Sequence, residues 1–284
     1  MILRKFSRLS SDPLTILGII ILLLLILTAI FASNIITYDP NEIIRIDGKI
    51  QRLQPPSRNF LFGTTYMGRD VFSQVIMGSR IALKVGFIAA FFVSIIGTIA
   101  GLISGYYGGW LDSVLMRLVD ILYGIPFIPF VIIIVSLLGP STWNIILAVS
   151  ILSWRTVARI VRSQVLSIKQ LPYIKAAKVA GASNFMIIFH HILPNVIPII
   201  FVEMNFIIGW AIISEASVSF VGFGDPRDMS WGKILNAAFL NGAVRYAPWW
   251  VIPPGIAIVL LVISVFLISR GLEEIINPKL RVGR

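Results

Sequence analysis

Three carboxylates, Asp120, Glu203 and Glu215, stand in or beside long apolar runs of a 284-residue chain in which only 13% of residues are charged. A carboxylate at membrane depth is costly to keep ionised, so each is a candidate for handling an ion or a substrate. Asp120 follows Arg117 by three residues, a spacing that pairs the two at a helix surface. Glu215 falls near the end of an apolar run, where water or a neighbouring side chain satisfies it. Glu203 lies about two turns inside the same run, close to Asn205, and is the best candidate to line a path through the membrane. Pro126 and Pro129 interrupt another apolar run. Unwound backbone at that depth is tolerated where it lines a cavity or is packed by neighbours, so they mark either a translocation path or a kink.

Enzyme chemistry finds little support. The chain has no cysteine, which excludes thiolate nucleophiles, thiolate metal sites and disulfides. Its two histidines, His190 and His191, are adjacent, and adjacent helical residues do not share a face. No G-x-x-x-x-G-K-[ST] phosphate-binding pattern occurs, so nucleotide chemistry has to come from elsewhere. No Ser/His, His/Glu or Asp/Asp pairing stands at a spacing useful for catalysis. The chain is expected to hold no cofactor and no metal.

The elements carrying these residues are membrane spans. Hydrophobic residues make up 57% of the chain and the mean hydropathy is +0.91, too little polar surface to cover a water-facing globule of this size. A span needs roughly 20 apolar residues. Leu14–Ile36 is uncharged, follows Arg4, Lys5 and Arg8, and reads as a retained first span rather than a cleaved leader. Val85–Leu111 is a second, ending near Tyr106. Ile121–Trp154 would make about 51 Å of helix, too long for one crossing of a ~30 Å core. Gly139-Pro140 divides it into a third span ending near Leu138 and a fourth starting near Thr142. Val196–Ser214 and Tyr246–Ser269 are the fifth and sixth. The fold class is an all-α membrane protein of about six transmembrane helices.

The formal charge of +11 is a topology signal here, not a nucleic-acid one. With the N-terminus inside, segments 1–13, 107–117, 155–195 and 270–284 hold fourteen of the 24 Lys and Arg residues. Segment 155–195 has six basic residues and no acidic one. The bias predicts cytoplasmic termini. Arg155, Arg159 and Arg162 share one helical stripe, placed either to reach lipid headgroups or to dock a partner. The same segment then offers Leu171-Pro172, a stretch Tyr173–Ala180 and Gly181, the pattern of a short helix opened by proline and closed by glycine. Ala176, Ala177 and Ala180 would let another backbone come close. A passive surface helix with Lys175 and Lys178 at the headgroups is the other reading. A second short helix is expected over 184–190, with a break before the fifth span.

At these residues the chain resembles a known family. Ala176-Ala177-x-x-x-Gly181, followed by Ile192-Leu193-Pro194, is similar to the coupling motif of ABC importer permeases. Further pieces run in the same order from about residue 10 to Pro278: Phe62-Gly63-Thr64, Gly68-Arg69-Asp70, Gly105–Asp112, Met116–Asp120, His191–Asn195, Ser219–Gly224 and Ser230-Trp231-Gly232. Together they resemble the second (C-type) permease of dipeptide and oligopeptide importers. The resemblance implies a type I ABC importer permease in a prokaryotic cell membrane, with a first helix at 14–36 and an extracytoplasmic segment at 37–79. The core would occupy 80–270, with a coupling loop at 166–195 and a cytoplasmic tail from 271. It implies that Lys175, Ala176, Ala177, Lys178, Gly181, Ala182 and Ser183 form a coupling helix seated on an ATPase. The partners implied are a homologous second permease, two ATPase subunits binding ATP and Mg, an extracytoplasmic solute-binding protein and membrane lipid. The family commonly has Glu where Lys175 stands, Asp where Thr65 stands and an acidic residue where Arg270 stands. The same machinery carrying oligosaccharides is an alternative, and an ion-coupled secondary transporter is an alternative of another class, which would need carboxylate relays and usually internal repeats.

Overall fold

Asp12 accepts the N–H of Thr15 at 3.1 Å and Pro13 occupies the first turn, so the first apolar run opens directly into helix α1, Pro13–Ile30. The computed structural model describes residues 12–276, and the expected terminal segments fall largely outside them. A short turn of helix, α2 (Ala32–Ile35), follows α1. Strands β1 (Arg45–Ile46) and β2 (Lys49–Ile50) pair antiparallel, Arg45 opposite Ile50, across the tight turn Asp47-Gly48. Helix α3, Val71–Tyr107, is capped by Asp70, whose carboxylate accepts from Ser73 N–H at 2.8 Å. Then come α4 (Gly109–Tyr123), α5 (Phe127–Leu138), α6 (Thr142–Ile168), α7 (Pro172–Val179) and α8 (Asn184–Met186). A π turn, Ile187–Ile192, leads into α9 (Leu193–Phe220), and α10 (Trp231–Leu240) and α11 (Pro248–Ile276) complete the described chain.

Among the described residues five helical stretches are long and apolar enough to cross a membrane, and the count is six if the bent pair α4–α5 is one broken span. Three boundaries differ from expectation. The second span begins at Val71, well before the uncharged run, because its two internal cations are satisfied. Arg80 donates to the final carbonyls of α1, Ala29 at 2.7 Å and Ile30 at 3.1 Å, and the Lys84 ammonium lies 4.9 Å from the centre of the Trp143 ring. The third span is not one helix over 121–138. Pro126 lacks an N–H and keeps Ile125 out of helical backbone, so α4 and α5 meet at 90°. At 12 residues α5 is about 18 Å long, short of a crossing by itself. Pro129 does not interrupt α5; it sits in the first turn, where no N–H is needed. Finally, no break precedes the fifth span, and helix runs unbroken from Asn184 to Phe220. The π turn absorbs Pro194, which has no N–H for the preceding turn.

Helix α3 is the centre of the bundle, packed against α1, α6 and α9. Its closest neighbour is α6, along Gly97, Gly101 and Gly105. A Cβ at these positions would stand 2.5, 2.6 and 2.7 Å from the Cβ atoms of Val157, Val161 and Val165. Four-residue spacing on both helices lets the backbones touch, the contact that helix association in lipid relies on. A second close approach joins α1 to α11, where Gly18 abuts Leu267 and the carbonyl of Ser264, and Gly271 abuts Thr15. Arg270, at the position where the family commonly has an acid, pairs there with Asp12 at 3.2 Å and with Glu274 at 3.6 Å.

Candidate coupling surface and translocation cavity

Helix α7 stands off the bundle. Of its eight residues only Ile174 is buried. Pro172 lies in its first turn, and its far end closes on Gly181 at φ +85°. Gly181 N–H donates to Lys178 O at 3.1 Å and Ala182 N–H to Ala177 O at 3.0 Å, the paired bonds of a Schellman ending. Ala177 and Ala182, the two residues that close this ending, are both half-buried. Lys175, Ala176, Lys178 and Ala180 face outward, and Val179 is 90% exposed. Ser183 has another duty: its hydroxyl accepts Met186 N–H at 3.2 Å and caps α8. Phe185, Met186 and Phe189 continue an exposed apolar patch beside α7.

This surface is tied to the helix ends around it. Tyr106, at the end of α3, donates to Asn184 at 2.8 Å. The Lys169 ammonium donates to the carbonyl of Gly105 at 2.7 Å. Tyr173 of α7 lies against the His191 ring and within 3.4 Å of the Asn195 amide. Tyr173 therefore links α7 to the start of α9, while Asn184 and Lys169, on either side of α7 in the chain, hold the end of α3.

Glu203 is carried on α9 and opens on a cavity of about 280 Å³ between α5, α6 and α9. Phe127, Ser153, Arg155, Thr156 and Trp210 contribute to its wall. Pro126 and Pro129 position this wall by directing α5, but neither lines it. Asn205 does not line it either; its amide donates to Phe201 O at 2.8 Å on its own helix. The structure thus brings Glu203 to the cavity and leaves Asn205 on another face.

The arginine stripe of α6 finds its partners within the chain. It forms three rungs to α4. Arg162 binds Asp112 in bidentate fashion at 2.5 and 2.6 Å, Arg159 binds Asp120 at 2.7 Å, and Arg155 donates to Leu122 O at 2.6 Å. Asp120 is therefore not paired with Arg117, because α4 turns that carboxylate toward α6 and leaves Arg117 exposed. Asp112 and Asp120 are eight residues apart and their partners Arg162 and Arg159 only three, so no matched spacing in the sequence announces these pairs. The rungs differ in weight. Asp112 also accepts from Ser104 and is largely buried, so Asp112→Asn is expected to cost about 1–3 kcal/mol, read as a Tm drop of the purified protein. Both partners of the Asp120 rung are half exposed, and Asp120→Asn should stay within about 0.5 kcal/mol.

The end of the bundle opposite α7 is held by a second polar network. Glu215, 3% exposed, accepts from Ser219 at 2.6 Å, which agrees with a structural reading of that carboxylate. Trp231 of α10 donates to Val75 O at 2.8 Å across to α3. Thr142 donates to Asp228 at 2.5 Å. The Lys233 ammonium donates to the carbonyls of Asp225, Pro226 and Asp228, and burial holds its pKa below the usual lysine range. Burial alone would raise the Asp225 carboxyl, but hydrogen bonds from the Arg227 side chain and N–H and from the Thr142 backbone bring it below the usual range.

Comparison with known proteins places this geometry in context. Residues 97–282 match the family described as binding-protein-dependent transport system inner membrane component. Residues 3–56 match the N-terminal TM domain of oligopeptide transport permease C. The chain is 39% identical over 277 residues to a dipeptide transport system permease protein DppC of Alkalihalophilus pseudofirmus, covering 97% of this chain and 89% of that one. It is 38% identical over 280 residues to a glutathione transport system permease protein GsiD of Pectobacterium atrosepticum, covering 98% and 90%. Against an oligopeptide transport system permease protein OppC of Bacillus subtilis it is 36% identical over 275 residues, covering 96% and 88%. Among solved structures it resembles a chain of the inward-facing MetNI methionine ABC transporter, with a TM-score of 0.57 at 22% identity over 72% of this chain and 95% of that one.

Proposed function

From the premise that the chain belongs to the family of binding-protein-dependent transport system inner membrane components, we propose that it is the pore subunit of an ATP-driven importer of short peptides. The observation that carries this reading is α7: a short helix with one buried residue, joined through Tyr173 to Asn195 at the start of α9 and followed by α8, which Tyr106 ties to the end of α3. A secondary transporter working alone has no use for such a handle. Peptides are the substrate class because the relatives named for dipeptide, oligopeptide and glutathione transport align over nearly the whole chain.

In this reading α7 and both termini face the cytoplasm, as the Lys and Arg distribution favours. Lys175, Ala176, Ala177, Lys178, Gly181 and Ala182 meet an ATPase subunit; Ser183 sets the angle at which α8 leaves. Two ATPase subunits bind ATP and Mg and supply the energy. A homologous permease completes the pathway, and an external solute-binding protein delivers substrate to the opposite end, around 37–70 and α10. The mechanical link is the unbroken helix from Asn184 to Phe220, about 55 Å long, which joins the ATPase surface to the Glu203 cavity. Closure of the ATPases on ATP pushes α7, tilts this rod and changes which side of the membrane the cavity meets.

Purification of the chain from its native membrane in mild detergent should bring down an ATP-binding subunit, with ATPase activity stimulated by the loaded binding protein. Peptide uptake that persists without ATP and follows a proton or sodium gradient would overturn the reading.

A further inference from the structure

The cavity between α5, α6 and α9 holds two opposite charges that do not neutralise one another. Glu203 and Arg155 both line it. Among the described residues the Glu203 carboxylate has neither an ion pair nor a hydrogen bond, and Arg155 has no carboxylate partner. Each is held in place by its own element. Arg155 is anchored to Leu122 O, with its guanidinium 4.6 Å from the centre of the Tyr123 ring. Glu203 rides on the continuous helix of α9. A third polar group belongs to a residue of the same wall: Ser153 Oγ is shielded from solvent and, among the described residues, has no hydrogen-bond partner. The rest of the lining is apolar and aromatic, with Phe127 and Trp210 edge to face at 5.3 Å.

Opposite charges left unpaired on the wall of one cavity are ready to receive counter-charges from something else that enters it. The geometry points to a transit site for a zwitterion. Its ammonium group meets Glu203, its carboxylate meets Arg155, and an apolar side chain rests on Phe127 and Trp210. A short peptide with free termini has this chemistry. The inference rests on the peptide reading above and deepens it: the membrane subunit itself reads the substrate's terminal charges during passage.

The test is uptake by the complete transporter, with its ATPase subunits and binding protein, in proteoliposomes. Dialanine is compared with N-acetyl-dialanine, which lacks the ammonium. Glu203→Gln is expected to lower the ratio of dialanine to N-acetyl-dialanine uptake about tenfold, the worth of one charge-assisted hydrogen bond. Glu203→Asp should recover most of the ratio, which a variant harmed only in folding would not do. A ratio that Glu203→Gln leaves unchanged, or a fall of both probes in step, overturns the site. Should the unmodified transporter take up neither probe, the peptide reading fails, and the site is decided by calorimetric titration of dialanine into the detergent-purified transporter. About tenfold weaker binding in Glu203→Gln supports it, and equal Kd values overturn it.

Discussion

Gly101→Leu is expected to remove the folded protein from the membrane fraction. A Cβ at position 101 would lie 2.6 Å from Val161 Cβ and 2.7 Å from the carbonyl oxygen of Ala158. The second contact is backbone and cannot swing aside, so the whole of α6 has to move. Gly97 and Gly105, one turn to either side, sit as close to α6, so a shift that relieves position 101 cannot be confined to one turn. Even Gly101→Ala is expected to cost about 1–3 kcal/mol by overpacking. A leucine adds a full side chain at the same point, and the loss should exceed a marginal stability of about 5–15 kcal/mol when the α3–α6 contact opens along its length. Thermal unfolding followed by fluorescence size-exclusion is the measurement. Gly255→Ala is the control: no atom of the described residues lies within 4 Å of the added carbon, so its Tm should stay near that of the parent. A Gly101→Leu protein with an unchanged Tm would show that α3 and α6 do not meet on this stripe.

Gly181→Trp is expected to leave a folded chain whose complex has lost peptide-stimulated ATPase activity by about tenfold or more, and deletion of 175–183 should do the same. The two ways a substitution can act here separate cleanly. There is open space here, since no atom of the described residues lies within 4 Å of a Cβ at 181. The backbone is the constraint, because φ is +85° and an L-residue there costs about 1–2 kcal/mol. Asparagine tolerates that conformation, so Gly181→Asn should retain most of the coupling. Tryptophan keeps neither the backbone preference nor the small surface at 181 that the proposed ATPase contact requires. Full stimulation in the Gly181→Trp complex would remove α7 from the coupling path.

Five of the spans were legible because a bilayer imposes a simple length rule on apolar runs; the run over 121–138 met the rule but is broken at Pro126 into two helices at 90°. Glycine and proline bounded α7 correctly for a local reason, as one supplies positive φ and the other a first turn without an N–H. The errors share a cause. Arg80 and Lys84 marked a boundary on paper and lie within α3 in space, because the carbonyls of Ala29 and Ile30 and the ring of Trp143 receive them. Asp120 was matched to its sequence neighbour Arg117 and finds Arg159 instead. Pro194 marked a break and is absorbed by a π turn. In each case the partner lay on another helix or depended on the tilt of one.

Local chemistry in the chain by itself settled that it is a multi-span helical membrane protein without cysteine, carrying a short proline-opened, glycine-closed helix in a basic segment. Those properties depend on solvent transfer and on φ preferences, which act residue by residue. Only the tertiary structure decided that the arginine stripe faces α4, that Asn205 bonds its own helix, and that Glu203 and Arg155 share one cavity without pairing. These are relations between helices, fixed by how closely backbones approach along Gly97, Gly101 and Gly105 and by the 90° bend at Pro126. No single-helix pattern contains that distance or that angle.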